Sequence, residues 1–250
     1  MLKLLSSIAL FIVFINPTSA QKKYTASDIH SHNDYSRPEA FYHAFNAGVG
    51  AIEADIYLRD GKLIVAHDTT QAKRLISLRE MYLQPILKEF KTRPRPLNLV
   101  IDLKGEYAPI LAELLEELKP LKHLIKTGSN NNPLRIIITG NRPPPAGYNA
   151  YPPYITFDDD LQLPHTTEQW KRVAQVSLNF ENYSKWRGEG ILPQLDEKVL
   201  KSVINAIHAS GKRVRFWAAP DNVASWRKLM ELNADILSTD KIDELKELLK

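Results

Sequence analysis

Residues 51–68 read AIEADIYLRDGKLIVAHD. Ala51, Ile52, Ala54 and Ile56 predict a buried strand, and Asp60-Gly61 is the strongest short hairpin signal, so Leu63 to Ala66 is expected to run back beside it. Glu53 and Asp55 are two positions apart and so project from the same face of that strand. Two carboxylates on an apolar strand are too costly to bury unpaired. A divalent cation answers that cost, and so would a buried ion pair with Lys or Arg. The returning strand brings His67 toward the carboxylate pair.

Outward from this stretch the chain alternates short apolar strands with helical or loop segments. Further strands are expected at Ala26–His32, Leu97–Leu103, Leu134–Thr139, Tyr154–Phe157, Val173–Phe180, Val214–Ala218 and Asp235–Leu237. Helices are expected over Pro38–Ala47, Leu75–Lys91 (bent at Pro85), Tyr107–Leu118, Asp196–Ser210, Val223–Leu232 and Ile242–Leu249. Near-continuous apolar strands separated by crossover-length segments indicate a parallel sheet covered on both faces. Eight such units in one chain of this length predict an α/β fold, a single-domain (β/α)8 TIM barrel. An open doubly wound sheet is the alternative, but no glycine-rich nucleotide loop follows the first strand. The proline-rich stretch from Pro143 to Pro153 reads as a stiff loop.

Residues 1–20 stand apart. Lys3, an apolar run from Ile8 to Ile15 and Pro17-Thr18-Ser19-Ala20 have the pattern of a secretory signal peptide. The run is short of the ~20 residues that span a bilayer. A mature domain over residues 21–250, exported to the periplasm or secreted and without a stable membrane anchor, is the expectation. The chain has no cysteine, so the core must hold the fold without disulfides. A net charge of +4 with scattered basic residues gives no ground for nucleic-acid binding.

In a barrel of this kind catalytic groups sit at the carboxyl ends of strands. His30 and His32 end the first strand, Glu53 and Asp55 the second, and His67 follows its hairpin. Asp102 and Lys104 end the third, Trp217 lies late in the seventh, and Asp240 follows the eighth. Glu53, Asp55 and Asp102 are three oxygen ligands, a set that suits a hard cation, Ca2+ or Mg2+. Two imidazoles can exchange base and acid roles across a reacting centre, and Lys104 with the metal could neutralise a phosphate. Phosphodiester cleavage uses all of these.

The motifs carry a resemblance. His32-Asn33-Asp34-Tyr35, Ile52–Ile56 (IEADI), Val65–Asp68 (VAHD), Ile101–Lys104 (IDLK), Val214–Asp221 (VRFWAAPD) and Ile236–Asp240 (ILSTD) resemble the superfamily of glycerophosphodiester phosphodiesterases and phosphatidylinositol-phospholipase-C-like enzymes, in the branch whose first motif is H-N-D-Y. The resemblance runs from about Ile29 to Asp240. It implies His32 and His67 as the acid/base pair, Glu53, Asp55 and Asp102 as metal ligands, and Lys104, Trp217 and Asn33 around a small-molecule or lipid-derived phosphodiester. Asn33 and Asp34 stand where the glycerophosphodiesterase branch has Arg and Gly. The layout is also similar to sphingomyelinase-D-like enzymes, whose in-line attack by a substrate hydroxyl gives a cyclic phosphate.

Two other readings remain. His30-Ser31-His32 is an H-x-H of the kind that binds zinc in amidohydrolase-like and polymerase-histidinol-phosphatase-like enzymes, although no histidine ends the fifth or sixth strand. A non-catalytic exported binding protein on the same barrel is the other. Asp158 to Asp160 reads as a solvated acidic loop, and His30 as a supporting or merely satisfied barrel histidine. His43 reads as structural. His123, His165 and His208 carry no partner pattern. Residues 182–190 are a candidate substrate loop, and Arg142 a candidate phosphate contact.

Overall fold

The computed structural model describes residues 22–67, 76–128 and 130–250. The signal-peptide stretch, Asp68 and Leu75 lie outside the described residues. The remainder forms nine strands: β1 Ile29–Ser31, β2 Ala51–Arg59, β3 Lys62–Val65, β4 Leu97–Leu103, β5 Leu134–Gly140, β6 Ile155–Asp159, β7 Val173–Asn179, β8 Val214–Trp217 and β9 Leu237–Thr239. The helices are α1 Tyr42–Ala47, α2 Gln84–Glu89, α3 Tyr107–Glu117, α4 Thr167–Lys171, α5 Gln194–Ala209, α6 Val223–Glu231 and α7 Ile242–Leu248.

Eight strands run parallel in the order β8-β7-β6-β5-β4-β2-β1-β9. The two ends meet where Arg215 bridges Ile236, with the Ile236 N–H donating to the Val214 carbonyl at 3.2 Å. The result is the expected parallel barrel. The ninth strand, β3, is the return arm of the Asp60-Gly61 hairpin and pairs antiparallel with β2. Asp60 and Gly61 have φ of 49° and 72°, the pair of positive values that a type I′ turn requires.

Alternation along the strands divides the interior into two layers. Ile52, Ala54, Ile56, Leu99, Ile101, Leu103, Ile136 and Ile138 join the large core between strands and helices. Leu200, Ile204 and Ile207 of α5, spaced by four and three residues, supply the helix side of it. Within the barrel, Ala51, Val100 and Ile137 form a small separate apolar plug. Glu53 and Asp55 share the inward face with Ala51.

Several boundaries differ from expectation for identifiable reasons. α1 begins at Tyr42 rather than Pro38, because Phe41 takes φ 65° and its N–H donates to the Asp34 carboxylate at 2.6 Å. α2 is preceded by a π-helical turn over Arg79–Leu83, and Pro85, which has no N–H to donate, falls in its first turn. Residues 143–153, read as a stiff loop, hold a 3-10 segment at Pro145–Ala150. The last strand is Leu237–Thr239 rather than Asp235–Leu237. The acidic run is not a solvated loop: Asp158 and Asp159 finish β6 and are buried. Among the described residues, no helix is long and apolar enough to cross a membrane.

Candidate active site

At the carboxyl ends of the strands lies a cleft of about 740 Å³. His32, Asn33, Glu53, Asp55, His67, Asp102, Lys104 and Trp217 all line it. Strand register explains the convergence: Glu53 and Asp55 alternate with outward Ala54, and Asp55 stands beside Asp102 across the β2–β4 ladder. One oxygen from each of Glu53, Asp55 and Asp102 lies within 4.8 Å of the others.

The three carboxylates have different surroundings. Glu53 Oε2 is 2.6 Å from His30 Nε2 and 3.2 Å from Arg215 Nη1. Burial works against its charge, yet the His30 hydrogen bond and the Arg215 guanidinium hold it well below the ordinary carboxylate range. Asp55 Oδ2 pairs with Lys104 Nζ at 2.9 Å and lies 2.8 Å from the Tyr35 hydroxyl, while Asp102 Oδ2 accepts from Lys104 at 3.0 Å. Burial and the neighbouring Glu53 charge raise Asp55. Burial and then Asp55 push Asp102 up to about 6. The remaining oxygens, Asp55 Oδ1 and Asp102 Oδ1, are buried and have no hydrogen-bond partner among the described residues. Two orphaned carboxylate oxygens beside a third carboxylate fit a hard cation. The ion-pair reading of the same residues also holds in part, since Arg215 and Lys104 neutralise Glu53 and Asp55 from one side.

Gly140 ends β5 against this cluster with φ +69°, and a Cβ there would come within 2.0 Å of Asp102 Oδ1. The site thus depends on a missing side chain that no motif marks.

The H-N-D-Y stretch divides its work residue by residue. His32 Nδ1–H donates to Asp240 Oδ1 at 2.9 Å, which leaves Nε2 facing Glu53 Oε1 at 3.9 Å. Burial opposes protonation of His32, but Asp240 and Glu53 together raise its pKa above the ordinary value. Asn33, at φ 47°, donates to Asp240 Oδ1 at 3.4 Å. Asp34 is fully buried and accepts from Ser31 Oγ, the Phe41 N–H and the Tyr82 hydroxyl, which fastens the loop to the barrel. The Tyr35 hydroxyl bridges the loop to Asp55, and burial beside that carboxylate keeps it protonated. His67 is exposed on the cleft wall, and Trp217 is 44% exposed at the rim.

His30 takes the supporting position. It is fully buried, and desolvation followed by the Arg215 charge lowers its pKa to about 4, so it is neutral at pH 7. Arg215 Nη1 lies 3.0 Å from its Nε2. That nitrogen faces a guanidinium and a carboxylate, and it is not among the metal-competent groups of the described residues, which weakens the H-x-H zinc reading.

Arg215 is the residue that sequence reading missed. Its signal was an arginine two positions before Trp217 in an apolar strand, hence on the same face. Asp159 was missed as well: it accepts from the Tyr148 hydroxyl at 2.6 Å and pairs with His165 at 2.9 Å. Arg142 pairs with Asp160 at 2.9 Å and donates to Tyr148, so its guanidinium is held by protein groups at the cleft edge. In the 182–190 loop, Asn182 and Tyr183 reach the cleft, while Trp186 turns back to the Glu189 carbonyl.

This barrel is similar in fold to solved glycerophosphodiester phosphodiesterases, and it carries acids and imidazoles on its carboxyl rim. Residues 18–95 match the AIM6-like phosphodiesterase domain, a stretch holding His32, Glu53, Asp55 and His67. The chain is 26% identical to the altered inheritance of mitochondria protein 6 homolog of Arthroderma benhamiae, over 94% of this chain and 87% of that one. It is 23% identical to altered inheritance of mitochondria protein 6 of Saccharomyces cerevisiae, over 86% and 68%. In fold it is similar to a glycerophosphodiester phosphodiesterase from Parabacteroides distasonis, with a TM-score of 0.59 and 13% identity over 88% of this chain and 95% of that one. A putative glycerophosphoryl diester phosphodiesterase from Silicibacter pomeroyi gives a TM-score of 0.54 and 13% identity over 90% of both chains.

Proposed function

We propose that the chain is a divalent-cation-dependent phosphoric diester hydrolase of the glycerophosphodiester phosphodiesterase type, acting on a small-molecule or lipid-derived phosphodiester. The observation that carries this reading is the convergence of Glu53, Asp55 and Asp102, with two of their buried oxygens unpartnered among the described residues. Charge balance supports it. Three carboxylates against Lys104 and Arg215 leave one net negative charge, which repels a phosphodiester monoanion. A bound Ca2+ or Mg2+ would reverse that sign and act as a Lewis acid toward the phosphoryl oxygens.

The other steps belong to the chain's own residues. His32 is the general base: Asp240 fixes its tautomer through Nδ1, and Nε2 is free to take a proton from the attacking hydroxyl. His67, from the same cleft, supplies the proton to the leaving oxygen. Lys104 holds Asp55 and Asp102 in place and offers its ammonium to the phosphate. Asn33 steadies Asp240 from the loop, and Trp217 gives the leaving group an apolar wall. An attacking hydroxyl carried by the substrate itself would yield a cyclic phosphate; water would yield a free monoester.

Phosphorus NMR of bis(p-nitrophenyl) phosphate and a panel of glycerophosphodiesters, with the metal-free protein and then with Ca2+ or Mg2+, tests the reading. Turnover that appears on cation addition and vanishes with EDTA supports it. A protein inert toward every diester with either cation present would leave the binding-protein reading. Export is a further proposal, checked by whether the mature chain recovered outside the cytoplasm begins at Gln21.

A further inference from the structure

The opposite end of the barrel holds a second cavity, of about 760 Å³, at the amino ends of the strands. The Ala51, Val100 and Ile137 plug lies on the barrel's inner face between it and the catalytic cleft. Two positions toward the floor from Val100 and Ile137, and therefore on the same inward face, are Asn98 and Arg135, neighbours across the β4–β5 ladder. Arg213, just before β8, joins them.

Charge in this cavity is unbalanced. Among the described residues, Lys22, Arg95, Lys126, Arg135 and Arg213 line it with only Asp28 and Asp235, and both acids are engaged. Asp28 Oδ1 is 2.7 Å from Lys22 Nζ and 3.5 Å from Arg213 Nη2. Asp235 Oδ2 accepts from the Val214 N–H at 2.8 Å and pairs with His208 at 2.7 Å. Arg95 spends its guanidinium on the Val49 and Phe45 carbonyls. The side chains of Arg135 and Lys126 have no hydrogen bond or ion pair among the described residues. Arg135 is half-buried, and burial together with the Arg213 charge lowers its pKa. A half-buried guanidinium facing another cation in a cavity lacks the counter-charge that such groups normally have.

We propose that this floor cavity binds a phosphate-bearing small anion, with Arg135 as its main ligand and Arg213 and Lys126 beside it. The planar guanidinium presents paired donors to two phosphate oxygens, and the volume suits a small phosphorylated molecule rather than a lone halide. The site is independent of the catalytic reading, because the plug separates them and none of its residues lies in the cleft.

The test uses inorganic pyrophosphate as the probe, titrated into metal-free full-length protein at constant ionic strength, with affinity read by calorimetry. We expect saturable binding that Arg135→Gln weakens by about tenfold or more and that Lys104→Gln, in the cleft, leaves unchanged. Without the anion, Arg135→Gln should melt at or above the wild-type temperature, since it removes a repulsion with Arg213. Pyrophosphate should then raise the wild-type melting temperature more than the variant's. No saturable binding, equal affinity in Arg135→Gln, or loss of binding in Lys104→Gln would overturn the proposal. So would equal displacement by chloride, which means an adventitious ion only. A large drop in stability of ligand-free Arg135→Gln would also overturn it, by showing that the guanidinium serves the fold itself.

Discussion

Replacing Arg215 by Met isolates the charge on which the buried carboxylate cluster rests. Arg215 is 5% exposed, and its Nη1 lies 3.2 Å from Glu53 Oε2. At that separation the pair attraction is about 5 kcal/mol for an effective dielectric constant of ~20. Removing one partner of a buried pair costs about 3–5 kcal/mol, because the other charge stays buried and uncompensated. For a chain of this size that corresponds to a fall in melting temperature of roughly 6–20 °C, a large share of a typical stability of about 5–15 kcal/mol. The assay is urea and thermal denaturation followed by circular dichroism at pH 7, for wild type, Arg215→Met, Glu53→Gln and the double variant. In the double variant the uncompensated charge is gone, so its loss should fall short of the sum of the single losses by at least ~1 kcal/mol. Saturating Ca2+ or Mg2+ should also rescue Arg215→Met, by about 2.7 kcal/mol at a hundredfold excess over the dissociation constant. A loss below ~1 kcal/mol in Arg215→Met, or strict additivity in the cycle, would refute the reasoning.

Four further outcomes follow. His32→Ala should lower turnover by about 10²–10⁴-fold with little change in cation affinity, read from initial rates beside a cation titration. Gly140→Ala should displace Asp102 and weaken cation binding, and it should also destabilise the fold by ~1 kcal/mol or more through its positive φ; unchanged cation affinity would remove Gly140 from the site. Asp34→Ala leaves the Ser31 hydroxyl, the Phe41 N–H and the Tyr82 hydroxyl without their acceptor, at about 1–3 kcal/mol for each group left buried; a melt indistinguishable from wild type would show that the loop does not hang on it. His30, with a pKa lowered to about 4 against 6.5 unfolded, binds its proton more readily in the unfolded chain. Its contribution is therefore fully present above pH 6.5 and is lost as pH falls toward 4, by about 3 kcal/mol, a slope that should flatten in His30→Gln.

The barrel was legible because its strands are near-continuous apolar runs spaced by crossover lengths, a pattern few other architectures share. The hairpin was legible because Asp60-Gly61 specifies a turn in which both residues take positive φ. The carboxylate cluster followed from alternation along β2 and from the habit of barrels to place charge at strand ends. What the residues did not disclose is how neighbours settle each charge. Arg215 lies 162 positions from Glu53, a distance that no local pattern spans. Asp158 and Asp159 resembled an ordinary acidic loop until β6 proved long enough to bury them. Phe41 lost its helical place to a single hydrogen bond with Asp34, a tertiary contact stronger than local propensity. Gly140 gave no signal, since its importance lies in the atom it lacks beside Asp102.

The central claim is that Glu53, Asp55 and Asp102 together hold one hard cation. Calorimetric titration of the metal-free protein with Ca2+ and, separately, Mg2+ tests it most directly, with Glu53→Gln, Asp55→Asn and Asp102→Asn alongside. We expect one site per chain, with each substitution weakening it severalfold or more. A wild-type protein that binds neither ion, or one whose binding survives all three substitutions unchanged, would contradict the claim.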